Sequence, residues 1–230
     1  MATESHFDGF PAEGLKFLRD LKRNNDRAWF APRKELYERA VLEPLRAFVV
    51  ETGEALGRAK IPLRGDAKRS VFRIYRDVRF SNDKSPYKTH ASAYLSYDGG
   101  RTAPGGLYVH VEPKASFAAA AFYGIEKPML DRWRASMAAQ PARFERVLAA
   151  LARAKVEISG PDEHEDSLAR MPRGFEAAAE TKLAPYFRLK HFTVRESLDD
   201  ELLGSRDLIA RCVSLAKAAK PLLEFGWSLD

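Results

Sequence analysis

Between Pro11 and Lys22 the apolar side chains Leu15, Leu18 and Leu21, joined by Phe17, recur at the spacing of one helix face, and Asn24 and Asn25 stop the run. A second helical pattern runs from Pro32 to Leu56 on Tyr37, Val41, Leu45, Phe48 and Leu56. Pro44 lies inside it with no amide hydrogen to donate, so the helix should kink or divide there. Residues 57–69 then read as a basic loop.

At Val71 the period changes from helical to alternating. Phe72, Ile74, Val78 and Phe80 take one side while Arg73, Tyr75, Asp77 and Arg79 take the other, the pattern of a half-buried strand with a polar face. A turn-forming stretch, Ser81 to Lys88, precedes three further strand patterns at 91–98, 106–112 and 116–123. Gly99, Gly100, Gly105 and Gly106 punctuate one connection and Glu112-Pro113-Lys114 the next, which predicts an antiparallel meander.

Pro128 and Pro141 sit at the first turns of two helices, one bearing Leu130, Trp133 and Met137, the other Phe144, Val147, Leu148 and Leu151. The region from Gly160 to Glu180 is irregular, and residues 187–194 offer a fifth strand. Ser205 caps the last long helix, with Pro221 near its end. The predicted fold is α+β: an antiparallel meander of four to five strands packed against N-terminal and C-terminal helices. One domain over residues 1–230 is expected, helical at 11–56, sheet at 70–123, and helical with one further strand at 128–225.

The chain has 230 residues, 45% of them hydrophobic, enough for a sizeable core, and 30% charged with both signs spread throughout, as in a soluble globular protein. The net charge of +6 is unevenly placed. Residues 68–90 carry seven Lys or Arg against Asp77 and Asp83, hence +5 of that total. Such a cluster either receives anions or organises charge pairs, and a nucleic-acid partner is allowed without being required. Cys212 is the one cysteine, which excludes an internal disulfide and a cysteine-cluster metal site. Its neighbours Leu208, Ile209, Val213 and Ala216 make it a core residue. The opening MATESHFDGF lacks both parts of a secretory signal, and residues 115–125, the longest central uncharged stretch, fall short of the ~20 a membrane span needs. A cytoplasmic protein without membrane contact is expected.

Within the cluster, Arg76 falls on the apolar side of its predicted strand, where an unpaired guanidinium costs on the order of several kcal/mol. A carboxylate, backbone carbonyls or a ligand anion must meet it. Arg73 and Arg79, flanking Tyr75 and Asp77, form a row suited to bidentate phosphate or carboxylate recognition, and Lys84 and Lys88 follow within reach. The plainer reading is a solvated face on which Asp77 pairs with its arginine neighbours. Tyr108, His110 and Glu112 alternate along one strand face, so His110 and Glu112 could ligate a metal or act as an acid–base pair. His90 and Asp83 join them only if the strands pair in a favourable register, and no metal is assigned. The run Glu163, His164, Glu165 and Asp166 lacks the helical His-x-x-x-His spacing of zinc proteases. No phosphate-binding loop, dinucleotide fingerprint, serine nucleophile elbow or nucleic-acid motif occurs, and residues 99–106 read as a hairpin connection.

The stretches NNDRAWF (24–30), FRIYRDVRFSNDKSPYKTH (72–90), PGGLYVHVEP (104–113) and MPRGF (171–175) together resemble a bacterial and fungal family known as domain of unknown function 2461. The likeness spans nearly the whole chain. It implies a single-domain protein whose signature overlaps the charge cluster, and it transfers neither activity, cofactor nor catalytic residue.

Three readings stand open. The leading one is a binding module for a phosphate-bearing or other anionic ligand, small molecule or nucleic acid, held by Arg73, Arg76, Arg79, Lys84 and Lys88 with Tyr75 or Tyr87 stacking on a ring. The second is an enzyme acting on a phosphorylated or carboxylated substrate, with Asp77 or Asp83 as base or metal ligand and His110 as acid–base. The third is an architectural Arg–Asp network without a ligand. Neither a cofactor nor an oligomeric state is legible.

Overall fold

A computed structural model describes residues 6–159 and 167–229. The acidic-histidine run Glu163 to Asp166 and the opening residues 1–5 lie outside the described residues. Helix α1, Ala12–Arg23, buries the expected Leu15, Phe17, Leu18 and Leu21. Asn24 ends it, its amide bonding back to the Asp20 and Leu21 carbonyls. Asp26 then caps the next helix, its carboxylate accepting the Trp29 amide at 2.8 Å.

From there the chain stays helical through changing geometry: α2 (Arg27–Phe30), a 3₁₀ turn at Ala31–Arg33, α3 (Lys34–Tyr37), a π turn at Glu38–Leu42 and α4 (Glu43–Arg58). The break expected at Pro44 thus takes the form of a widened turn just ahead of it. Pro44 cannot donate to the carbonyl of Ala40, four residues back, and the Glu43 amide reaches five residues back to Glu38. Gly14 of α1 crosses here. A Cβ at Gly14 would lie 2.1 Å from the Ala40 carbonyl oxygen, so only glycine allows this approach.

The sheet holds β1 (Ala91–Leu95), β2 (Gly106–Val111), β3 (Ser116–Phe122) and β4 (Phe192–Leu198) in the order β1-β2-β3-β4. The fold is α+β with a four-stranded antiparallel sheet. In the β1–β2 register Ala91 faces Val111, Ser92 faces His110 and Tyr94 faces Tyr108. Ala93, Leu95, Leu107, Val109 and Val111 are completely or almost completely buried on the other face. The strand expected at 187–194 begins later, because Ala184–Arg188 forms a short helix, α7.

The strand expected over Val71 to Phe80 does not form. Isolated bridges join Val71 to Ala93 and Tyr75 to Tyr87. Four steps on one side therefore oppose six on the other, and no continuous ladder survives two unmatched residues. Burial follows the interruption: Val71 and Ile74 are buried, three apart, while Phe80 is 95% exposed.

The chain divides into two compact units. One comprises the described residues up to Ala103 with Leu107–Ala118 and Glu196–Ser214. Its core includes Phe7, Phe17, Leu45, Phe48, Leu95, Val109 and Cys212, whose thiol burial pushes up to about 12. The other comprises Pro104–Gly106, the described part of Ala119–Arg195, and the chain from Leu215. It contains α5 (Lys127–Ala139), α6 (Pro141–Arg153) and a terminal helix at Lys220–Trp227. Trp133 is its centre, stacked on Phe192 at 3.9 Å and ringed by Phe122, Phe144 and Phe225. Among the described residues, the buried guanidinium is here too. Arg134 donates from Nε to the Phe187 carbonyl at 3.0 Å and from a terminal nitrogen to Leu189 at 3.3 Å, so Arg134 fills the role expected of Arg76. Among the described residues no helix is long and apolar enough to cross a membrane.

Candidate functional site

Much of the arginine-rich signature is satisfied from within. Arg76 is half-buried, not buried, and pairs with Asp83, a loop carboxylate that also accepts from the Ser85 amide and hydroxyl. The Ser85 hydroxyl first, then Arg76, hold the Asp83 carboxyl far below its ordinary value. Arg79 grips Asp77 with two guanidinium bonds at 2.7 and 3.0 Å, which lowers that carboxyl to about 2. Lys84 donates to the Val78 carbonyl at 3.0 Å. Tyr87, expected to be available for stacking on a ligand, is 5% exposed and lies against Phe30 at 4.1 Å, with both backbone groups held by the Asn25 amide. It is a core residue.

Arg73 differs. It has no ion-pair or hydrogen-bond partner among the described residues, and it borders a cleft of about 350 Å³. One wall comes from the helical run through Phe30, Lys34, Tyr37, Glu38, Leu42 and Arg46, and the other from Ala67, Lys68, Val71 to Tyr75, and Arg101. Five cations, Lys34, Arg46, Lys68, Arg73 and Arg101, thus line it against one carboxylate, Glu38. Glu38 offsets Lys34 at 3.6 Å, and Glu43 binds Arg46 at 2.6 Å from outside the lining. Arg101 donates to the Val71 carbonyl and lies over the Phe72 ring, which Lys88 also covers at 5.2 Å. The crowding has an electrostatic signature. Burial first, then the charges of Arg73 and Arg101, hold the Lys88 ammonium below its ordinary pKa. Tyr75, half exposed, also lines the cleft, with its ring 5.4 Å from that of Tyr87.

A second cluster forms on the polar face of β1 and β2. Because Ala91 pairs with Val111, the next position brings His90 opposite Glu112, on the same side as His110. The two imidazoles lie 4.1 Å apart by centroid, and Phe117 of β3 stacks on His110 at 4.9 Å. Nδ1 of His110 is 3.2 Å from the Tyr108 hydroxyl and its Nε2 is 3.2 Å from a Glu112 oxygen. Lys22 holds the other Glu112 oxygen at 2.9 Å. Burial, followed by His110 and Lys88, lowers His90 to about 4, so it is neutral at physiological pH. For Glu112 burial acts upward, but Lys22 and His110 outweigh it and keep the carboxyl below its usual range.

His110 therefore gathers His90 and Glu112, whereas Asp77 and Asp83 are engaged by their own arginines. His90 entered the reading only as a matter of register, and the helical wall of the cleft was not anticipated at all. Lys34, Glu38, Leu42 and Arg46 do recur every four residues, a visible signal whose meaning depends on what the helix faces.

Comparisons with curated proteins and with solved structures return no match. A family model described as conserved hypothetical protein (DUF2461) matches residues 13–225. Its span takes in both walls of the cleft and the whole histidine cluster, and the chain belongs to this family.

Proposed function

We propose that the protein is a binding module for a phosphate-bearing or otherwise anionic ligand, received in the cleft between the helical run and residues 67–75. The observation that carries this reading is five cations against one carboxylate around a single concavity, with Arg73 in its lining and without an ion-pair or hydrogen-bond partner among the described residues. An unpaired guanidinium offers a planar fork of donors to phosphate or carboxylate oxygens, and Tyr75 presents a half-exposed ring beside it. The remaining signature arginines support the site by bracing the loop: Arg76–Asp83 and Arg79–Asp77 are local pairs. That favours the architectural reading for this part of the signature only.

Calorimetric titration of the full chain with inorganic phosphate, nucleoside monophosphates and a short single-stranded oligonucleotide, at several salt concentrations, tests the reading. Binding should weaken with salt. Arg73→Ala should reduce affinity about 10- to 100-fold, the ~1.5–3 kcal/mol of a charge-assisted hydrogen bond, whereas Arg79→Ala should change it little. Absence of binding at low salt, or equal affinity in Arg73→Ala, would remove the proposal.

A further inference from the structure

We propose that His90, His110 and Glu112 form a binding site for a divalent transition metal of zinc type. The proposal goes beyond the anion-binding reading and does not depend on it. Two imidazoles and a carboxylate are a ligand set that such ions favour over magnesium or calcium, which take oxygen donors. The three residues each offer a ligand atom, and these atoms lie within 4.8 Å of one another. Around a tetrahedral ion with bonds of about 2.0–2.1 Å, neighbouring ligand atoms lie roughly 3.3–3.5 Å apart. The separation of His110 Nε2 from Glu112 Oε2, 3.2 Å, already matches that edge.

The surroundings fit as well. With the proton on Nδ1 of His110, shared with the Tyr108 hydroxyl at 3.2 Å, the Nε2 lone pair would face the Glu112 side, the outer contact that orients a ligating histidine. Lys22 fixes the distal Glu112 oxygen and leaves Oε2 for the ion. Phe117 stacks on the His110 ring and limits its rotation. His90 and Glu112 each lie one residue beyond the paired ends Ala91 and Val111, so the β1–β2 register brings them to the same end of the sheet. Three protein ligands leave a position for water or for a ligand oxygen.

The test uses the untagged full chain, stripped with chelator, titrated with Zn²⁺ by calorimetry and with Co²⁺ by visible absorption. One equivalent should bind, with the intensified ligand-field bands of low-coordinate Co²⁺. Glu112→Gln and His90→Ala should each lower Zn²⁺ affinity by about 100-fold or more, and Tyr108→Phe by about 10-fold while all three ligands remain. Should a variant fail to fold, imidazole ¹⁵N spectra of the wild-type chain decide, since Zn²⁺ must shift His90 and His110. No saturable binding, undiminished affinity in the folded ligand variants, or shifts confined to His6, His164 and His191 would overturn the proposal.

Discussion

Replacing His90 by Ala should change how stability depends on pH, with a sign that the surroundings of the imidazole dictate. In the folded chain burial, His110 and Lys88 oppose protonation, Glu112 alone favours it, and the value falls from 6.5 to about 4. The unfolded chain binds the proton more readily. The stabilisation this group contributes is therefore complete above pH 6.5, declines as the pH falls below it, and is gone near pH 4. At ~1.4 kcal/mol per tenfold change the full fall would be about 3 kcal/mol, and solvent screening of a half-buried group reduces this to about 1–2 kcal/mol. Urea denaturation of wild type and His90→Ala at pH 7.5, 5.5 and 4.5, with chelator present, measures it together with its coupling to His110, Glu112 and Lys88, because groups remote from His90 cancel in the difference. The wild-type advantage should shrink by about 1–2 kcal/mol between the first and last pH. An advantage that stays constant, or grows in acid, would refute the reasoning.

Two further outcomes concern packing. Gly226→Ala places a methyl 2.2 Å from the Phe122 ring and 2.6 Å from Trp133, and should lower stability by about 1–3 kcal/mol with a matching drop in Tm. Arg134→Ala removes the donors to the Phe187 and Leu189 carbonyls and should lower the unfolding free energy by about 3 kcal/mol, read by denaturant titration, while Arg132→Ala on the same helix should cost less than about 1 kcal/mol.

Local periodicity carried the sequence reading where each element is decided by its own neighbours. Leu15, Leu18 and Leu21 define α1, and the alternation of Leu107, Val109 and Val111 with Tyr108 and His110 defines β2. It failed at Val71 to Phe80, where the same alternation meets a partner segment two residues too long for a ladder. Arg76 and Arg134 show the same limit. Arg76 looked buried because a regular strand would have buried it, while Arg134, unremarkable on its helix, is enclosed by carbonyls more than fifty residues away. The candidate site was half legible for a related reason. Arg73, Tyr75 and His110 stand out in the sequence, but their companions Lys34, Arg46 and His90 come from distant segments and strand register.

The π turn decides which side chains share the wall of the cleft. In an ordinary α-helix four residues advance about 400°, so a row spaced by fours drifts about 40° at each step. Lys34, Glu38, Leu42 and Arg46 nevertheless share one wall, and the wider turn at Glu38–Leu42 lies at the middle of that row. Regular α-helical winding of the same residues would set Lys34 and Arg46 about 120° apart, and the widened turn absorbs roughly 100° of that, one residue's worth, without any change of charged group. The wall is thus encoded partly by the widened turn ahead of Pro44, so homologues that keep every lysine and arginine but wind a stretch of this length as a regular α-helix would present a different cleft.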